Sequence, residues 1–166
     1  MIGKKLFSAD KWVGRDFHLG EAMIQEALRK ESLDVVNAPY PMNRVWIRIR
    51  WENRSKVDVK LAKAFLKVYL NGAPLRVIQW DQKEILPHYP IDFSIRKEIS
   101  IYGYRYYNLP KNEDGFLDIF VNIPPYIDTD EVIRIVIQGY LTFNSFFGHF
   151  DKQVKYNLRV IPEDWE

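Results

Sequence analysis

The chain contains no cysteine. That excludes disulfide cross-links and thiolate metal sites, and it suits a reducing compartment. It also lacks any apolar run approaching the about 20 residues of a membrane-spanning helix. The opening "MIGKKLFSADKWVG" has no apolar stretch long enough for a signal peptide. These absences lead to the expectation of a cytoplasmic protein, with an exported chain trimmed of its leader as the alternative. Neither sign of charge is in excess: Lys and Arg number 24, Asp and Glu 22, and the formal net charge is +2. With no polybasic tail or basic run, general affinity for nucleic acid is not expected. No glycine-rich phosphate loop is present, and Ser94, Ser100 and Ser145 lack a nucleophile-elbow context. The three histidines, His18, His88 and His149, stand far apart. The expectation is a protein that is not an enzyme, with no cofactor and no bound metal.

What the chain has in quantity is aromatic residues, at 15%, within a 47% hydrophobic composition. Rings of this kind favour strands and leave some to spare for a surface. At 166 residues, a chain buries roughly 70% of its unfolded surface on folding, enough for one core.

Two regions differ in periodicity. Residues 1–43 read as an N-terminal extension with one amphipathic helix. In "GEAMIQEALRKESL", Met23, Ile24, Ala27 and Leu28 fall on one helical stripe, with charged residues elsewhere. Residues 44–166 read as strands. "RVWIRIRW" alternates, with Val45, Ile47, Ile49 and Trp51 on one face and Trp46, Arg48 and Arg50 on the other. Asn71-Gly72 is a hairpin signal. "GFLDIFVNIP" points Leu117, Ile119, Val121 and Ile123 inward. "EVIRIVIQGYLTFN" keeps Ile133, Ile135, Ile137, Leu141 and Phe143 in step, and a turn at Gly148 leads to Val154, Tyr156, Leu158 and Val160. Strands following one another without intervening helices predict a mainly-β, antiparallel two-sheet β-sandwich, immunoglobulin- or fibronectin-like, with the helical extension in front.

The stretch "VDVKLAKAFLKVYLNG" changes phase. Val57, Val59 and Leu61 keep one beat, whereas Ala64, Leu66, Val68 and Leu70 keep the other. One extra residue has this effect, so "LAKA" is the place for a β-bulge or for a strand switching sheets.

The order of these features resembles the atypical, folded late embryogenesis abundant proteins, the water-stress and hypersensitive-response domain family. The resemblance covers about 44–161 and rests on Asn53, Val57, Val59, Tyr69, Leu70, Asn71, Gly72, Gly139, Phe143 and Gly148. Where the family has Asn-Pro-Asn in its first turn, this chain has "ENRSK". The resemblance implies two antiparallel sheets, no catalytic residues, and a stress-related role through contact with proteins or membranes.

Several groups of residues are candidate sites. "IYGYRYYNLP" brings Tyr102, Tyr104 and Tyr106 onto one strand face beside Arg105, a strip able to stack sugars, bases or a partner's side chains. A carbohydrate-binding accessory module is therefore one alternative function, set against a sheet face merely half covered by tyrosine. Trp46, Arg48 and Arg50, taken with Lys56, Lys60, Lys63 and Lys67, form a positive stripe that would attract an anionic membrane surface or an acidic protein. The competing explanation is that strand lysines guard sheet edges against aggregation. Glu113, Asp114 and Asp118, and Asp128, Asp130 and Glu131, are acidic clusters without the ligand spacing of a calcium loop. The helical stripe needs a covering surface, so a protein partner or self-association through the N-terminal helix is expected. A structural subunit of a viral or surface assembly is the remaining alternative.

Overall fold

Alternating apolar side chains organise most of the molecule. The computed structural model describes residues 9–29, 43–81, 99–102 and 108–166, with the backbone alone at 10, 76–81 and 99–102. Its elements are a one-turn helix α1 (Ala9–Trp12), a 3-10 turn (Gly14–Asp16), and the strands β1 (Phe17–Leu28), β2 (Asn43–Asn53), β3 (Val59–Leu70), β4 (Ala73–Asp81), β5 (Ile99–Tyr102), β6 (Asn108–Leu109), β7 (Glu113–Ile123), β8 (Ile133–Ser145) and β9 (Gly148–Val160), followed by a 3-10 turn (Pro162–Asp164). Sheet A has the order β1-β2-β7-β5 and sheet B the order β4-β3-β8-β9, with β6 paired to the start of β3. The strand pairs are antiparallel. The expected mainly-β, two-sheet architecture is thus present.

The inward sets are those that the alternation selects. Val45, Ile47, Ile49 and Trp51 of β2 and Leu117, Ile119, Val121 and Ile123 of β7 are buried from sheet A. They meet Leu66, Val68, Ile135, Ile137 and Val154 from sheet B. Each such side chain contributes about 1.5–3 kcal/mol on burial. At one end of the sandwich the filling is aromatic: the Phe17 ring lies 4.7 Å from Phe143, 5.7 Å from Phe150 and 6.3 Å from Trp51. Ala9 and Val13 cover this cluster.

Two close approaches require glycine. Trp51 lies across Gly115 of the paired strand, where an added Cβ would come within 2.4 Å of the indole. Asp114-Gly115, which reads in the sequence as turn chemistry, is therefore strand; the turn lies just before it, at Asn112 with φ 58°. Gly139 of β8 has φ +148°, and a Cβ there would lie 2.0 Å from the Phe65 carbonyl oxygen.

The amphipathic helix expected in the N-terminal extension does not form in the described part of its segment; residues 17–28 are β1, the edge strand of sheet A. The cause lies in the register with β2. Leu19 pairs with Trp51 and Ala22 with Ile49, then Ile24 with Ile47 and Glu26 with Trp46, so β1 gains one residue at each irregularity. The core-facing residues Phe17, Leu19, Ala22, Ile24 and Ala27 consequently advance by alternate steps of two and three, a spacing that imitates a helical stripe. The strand is also part of the sandwich itself, so residues 17–28 are no separate extension.

The phase change in β3 is a bulge within one sheet. Leu61 pairs with Phe143 and Lys63 with Thr142, leaving Ala62 as the additional residue. The Asn-Gly signal forms the β3–β4 hairpin with positive φ at both Asn71 and Gly72, the backbone twist a two-residue hairpin prefers.

Between β2 and β3 the chain passes from one sheet to the other. Asn53, fully buried, holds this crossing. Its Nδ2 donates to the carbonyls of Val57 (3.0 Å) and Leu109 (2.9 Å), and its Oδ1 accepts from the Ser55 backbone N–H and hydroxyl at 3.0 and 2.6 Å. A side-chain amide so used satisfies backbone groups that the crossing takes out of the ladders.

Candidate interaction surface

The crossing at 54–58 decides what becomes of the positive stripe. Because β2 belongs to sheet A and β3 to sheet B, Arg48 and Arg50 point out from one side of the sandwich. Lys60, Lys63 and Lys67 point out from the other. The single stripe expected from the sequence does not exist; there are two faces with different chemistry.

On the outer face of sheet A the cations are engaged. Arg48 Nε donates to Asp118 Oδ1 at 2.8 Å, and its guanidinium lies 5.0 Å from the Trp46 ring centroid and 4.5 Å from that of Phe116. Arg44 bonds Asn122 Oδ1 at 3.1 Å and lies over Phe120, which itself stacks on Trp46. Arg50 and Arg54 both reach Asp114 at 2.9 Å, and Arg50 also reaches Glu52 at 3.2 Å. Covering of the Asp114 carboxyl pushes its pKa up, but hydrogen bonds and charge from Arg50 and Arg54 outweigh this and hold it below its ordinary value. The sequence groups these residues for their positive charge, yet strand β7 supplies acids beside them: Asp118 faces Arg48 in register, and Asp114, which faces Glu52, also meets Arg50 and Arg54.

The outer face of sheet B differs. Its rows read Lys60–Asn144–His149, Lys63–Thr142–Asp151, Phe65–Tyr140–Gln153, Lys67–Gln138–Lys155, Tyr69–Val136–Asn157 and, on two strands, Arg134–Arg159. On β3, β8 and β9 this face carries one carboxylate, Asp151, which accepts a 2.6 Å bond from Thr142. Lys60, Lys67, Arg134, Lys155 and Arg159 make no ion pair with any described residue. Phe65 and Tyr140 stack at 5.7 Å in the middle of the face, with Tyr140 exposed. Edge protection does not account for Lys63 and Lys67, since β3 is flanked by β4 and β8.

Arg134, Tyr140, Lys155 and Arg159 were missed as site residues by sequence reasoning. The signal is present in the outward phase of 133–145 and 148–160, which holds all four of these residues and a single acid, Asp151. It becomes a surface only when β3 and β8 are known to be neighbours.

The remaining candidates separate as follows. Tyr104, Arg105 and Tyr106 lie outside the described residues; Tyr102, at the end of β5, pairs in register with Asp118. His88 and Ser94 also lie outside. His18 and His149 are exposed on different sheets. Of the acids, Asp118 and Asp114 serve the arginines, Asp128 Oδ1 accepts from the Asp130 N–H at 2.8 Å, and Asp130 lies 3.5 Å from Arg29. Among the described residues no group of three His, Asp or Glu converges to hold a metal. The stripe meant for a helical partner is divided: Ile24 packs on the core, Ala27 is buried, and Met23 is 54% exposed beside Arg48. No described helix is long and apolar enough to cross a membrane.

No family model matches the chain, and no curated protein matches it. Similar solved structures include the structural-genomics target SoR45, at 12% identity with a TM-score of 0.48, over 93% of this chain and 89% of that one. The Vibrio cholerae VesB protease aligns at 9% identity and TM-score 0.40, over 93% of this chain and 34% of its own. The CooA pilin subunit of enterotoxigenic Escherichia coli aligns at 12% identity and TM-score 0.29, over 87% and 96%. By their names, none of these is a late embryogenesis abundant or water-stress protein.

Proposed function

We propose that the chain is a non-enzymatic β-sandwich interaction domain that docks onto acidic macromolecular surfaces through the outer face of sheet B. The observation that carries this reading is the set of cations on that face, Lys60, Lys67, Arg134, Lys155 and Arg159, none ion-paired with a described residue. A sheet presents such charges at fixed spacing: Lys63 and Lys67 stand about 13 Å apart along β3, and Lys67 and Lys155 about 10 Å apart across two strand spacings. These separations exceed the Debye length of about 8 Å at physiological ionic strength. The charges therefore act as separate contacts rather than one point, and binding falls with added salt.

Retention of the intact chain on immobilised heparin at low salt tests the reading. Lys67→Gln/Lys155→Gln should elute at clearly lower salt than Arg44→Gln/Arg50→Gln, which removes the same formal charge from the opposite face. Equal elution of the two variants, or no retention of the parent chain at low salt, overturns it.

A further inference from the structure

The β8–β9 hairpin that builds half of the basic face ends in an exposed aromatic pair. Phe146 is 87% exposed and Phe147 39% exposed. Their rings pack against each other edge to face at 5.3 Å. The tip is held firmly: the β8–β9 register runs from Ile133–Val160 to Ser145–Gly148 without a shift. Ser145 Oγ donates to the Gly148 carbonyl at 2.9 Å and accepts from the Phe147 N–H at 3.2 Å, and Gly148 takes the turn with φ +108°. Two phenyl rings are thus fixed in water on a turn that does not collapse onto the core.

Cations stand around this tip. Lys60 is in register with Asn144, and Val59, which pairs with Ser145, follows directly on the turn bearing exposed Lys56. α1 lies beside Gly148, with Ala9 near that glycine, and presents exposed Lys11 and Trp12 at 49% exposure. Two carboxylates at this end are engaged: Asp16 pairs with Arg15 at 3.6 Å, and Asp58 accepts from the Lys111 N–H at 2.9 Å.

Resting on the reading of sheet B as an acidic-surface docking face, we infer that the partner is a phospholipid bilayer with anionic headgroups, and that Phe146 and Phe147 are its insertion point. The shape of the tip selects this occupant. Small molecules take concave sites and single-stranded nucleic acid takes grooves with stacking platforms, whereas a convex apolar tip ringed by lysine fits a deformable medium with an apolar interior and a negative surface. Trp12 suits the headgroup level, where indoles concentrate. The cations of sheet B supply attraction, and the phenyl pair supplies an anchor that salt does not screen, with Lys60 where the two meet.

The absence of cysteine makes the test clean. Flotation of the full chain with phosphatidylcholine vesicles, with and without phosphatidylserine, is compared for the parent and Phe146→Ser/Phe147→Ser. The expected result is phosphatidylserine-dependent flotation that weakens by about tenfold or more in the double variant, with heparin retention unchanged. Phe146→Cys carrying an environment-sensitive fluorophore should shift to the blue on mixing with the anionic vesicles, whereas the same label at Asn157→Cys should shift less. Parent-like flotation of the double variant, with no blue shift at position 146, overturns insertion and leaves the docking face standing. Heparin retention without vesicle flotation overturns the bilayer as partner and leaves a soluble polyanion in its place. Failure of both heparin and vesicle binding overturns the inference and the reading beneath it.

Discussion

On sheet A, Arg48 lies 2.8 Å from Asp118 and against two aromatic rings; on sheet B, Lys67 stands in register between Val77 and Gln138, with no acid at either facing position. The two faces belong to one sandwich and both carry basic residues. What separates them is the neighbour that the register provides. Strand β7 brings Asp114 and Asp118 to the arginines, whereas β8 brings Gln138, Thr142 and Asn144 to the lysines. Paired charge on the first face fixes strands to each other. On the second, Lys60, Lys67, Arg134, Lys155 and Arg159 make no ion pair with a described residue, and they project a field. A net charge of +2 conceals this polarity, because pairing rather than total charge determines what a partner meets.

The largest way to break the comparison is to remove the sheet that presents the second face. Gly139→Ala places a Cβ against the Phe65 carbonyl between two central strands, in a backbone conformation side chains rarely adopt. Urea unfolding should show a loss of about 3 kcal/mol or more. A loss under about 1 kcal/mol would mean that β3 and β8 are not so closely apposed there.

A smaller effect tests the difference itself. Arg48→Ala removes a part-buried, charge-assisted bond and contacts with Trp46 and Phe116, and should cost about 1–2 kcal/mol of stability. Lys67→Ala should stay within about 0.5 kcal/mol while lowering heparin elution. Equal stability losses at the two positions would dissolve the distinction between a structural face and an available one.

The smallest effect is in acid. Asp114 has a folded pKa below its ordinary value of 3.8. Its contribution to stability is therefore present above that value and lost as pH falls through the folded one. Asp114→Asn should flatten the fall in melting temperature below about pH 4, whereas Lys67→Ala should leave that slope as it is. An unchanged slope in Asp114→Asn would show that its arginine contacts do not persist in solution.

Much of this molecule is legible from its residues alone. The inward sets of β2, β7, β8 and β9, the Asn71-Gly72 hairpin and the extra residue at Ala62 follow from a side-chain period of two and its single interruption. β1 reads as a helix for a related reason. Its two irregularities spread Phe17, Leu19, Ala22, Ile24 and Ala27 at steps of two and three, and a short amphipathic segment with that spacing satisfies a helical template as well as a bulged strand. Only pairing with β2 separates the two. The candidate site is harder to read, since the alternation shows Trp46, Arg48 and Arg50 as outward but does not separate them from lysines that lie on the far side of the sandwich.

Outside β1 and the Asp114-Gly115 pair, the sequence by itself determined which side chains face inward and where the chain turns, because alternation and turn chemistry are local and act within a few residues. Only the tertiary structure decided that residues 54–58 carry the chain from one sheet to the other, and that β7 neutralises one set of cations while β8 leaves the other set without acids. It also decided that Phe146 and Phe147 end up exposed on a rigid tip beside Lys60. Charge pairing and exposure depend on neighbours brought together from distant parts of the chain, and no local pattern encodes which strand those neighbours come from.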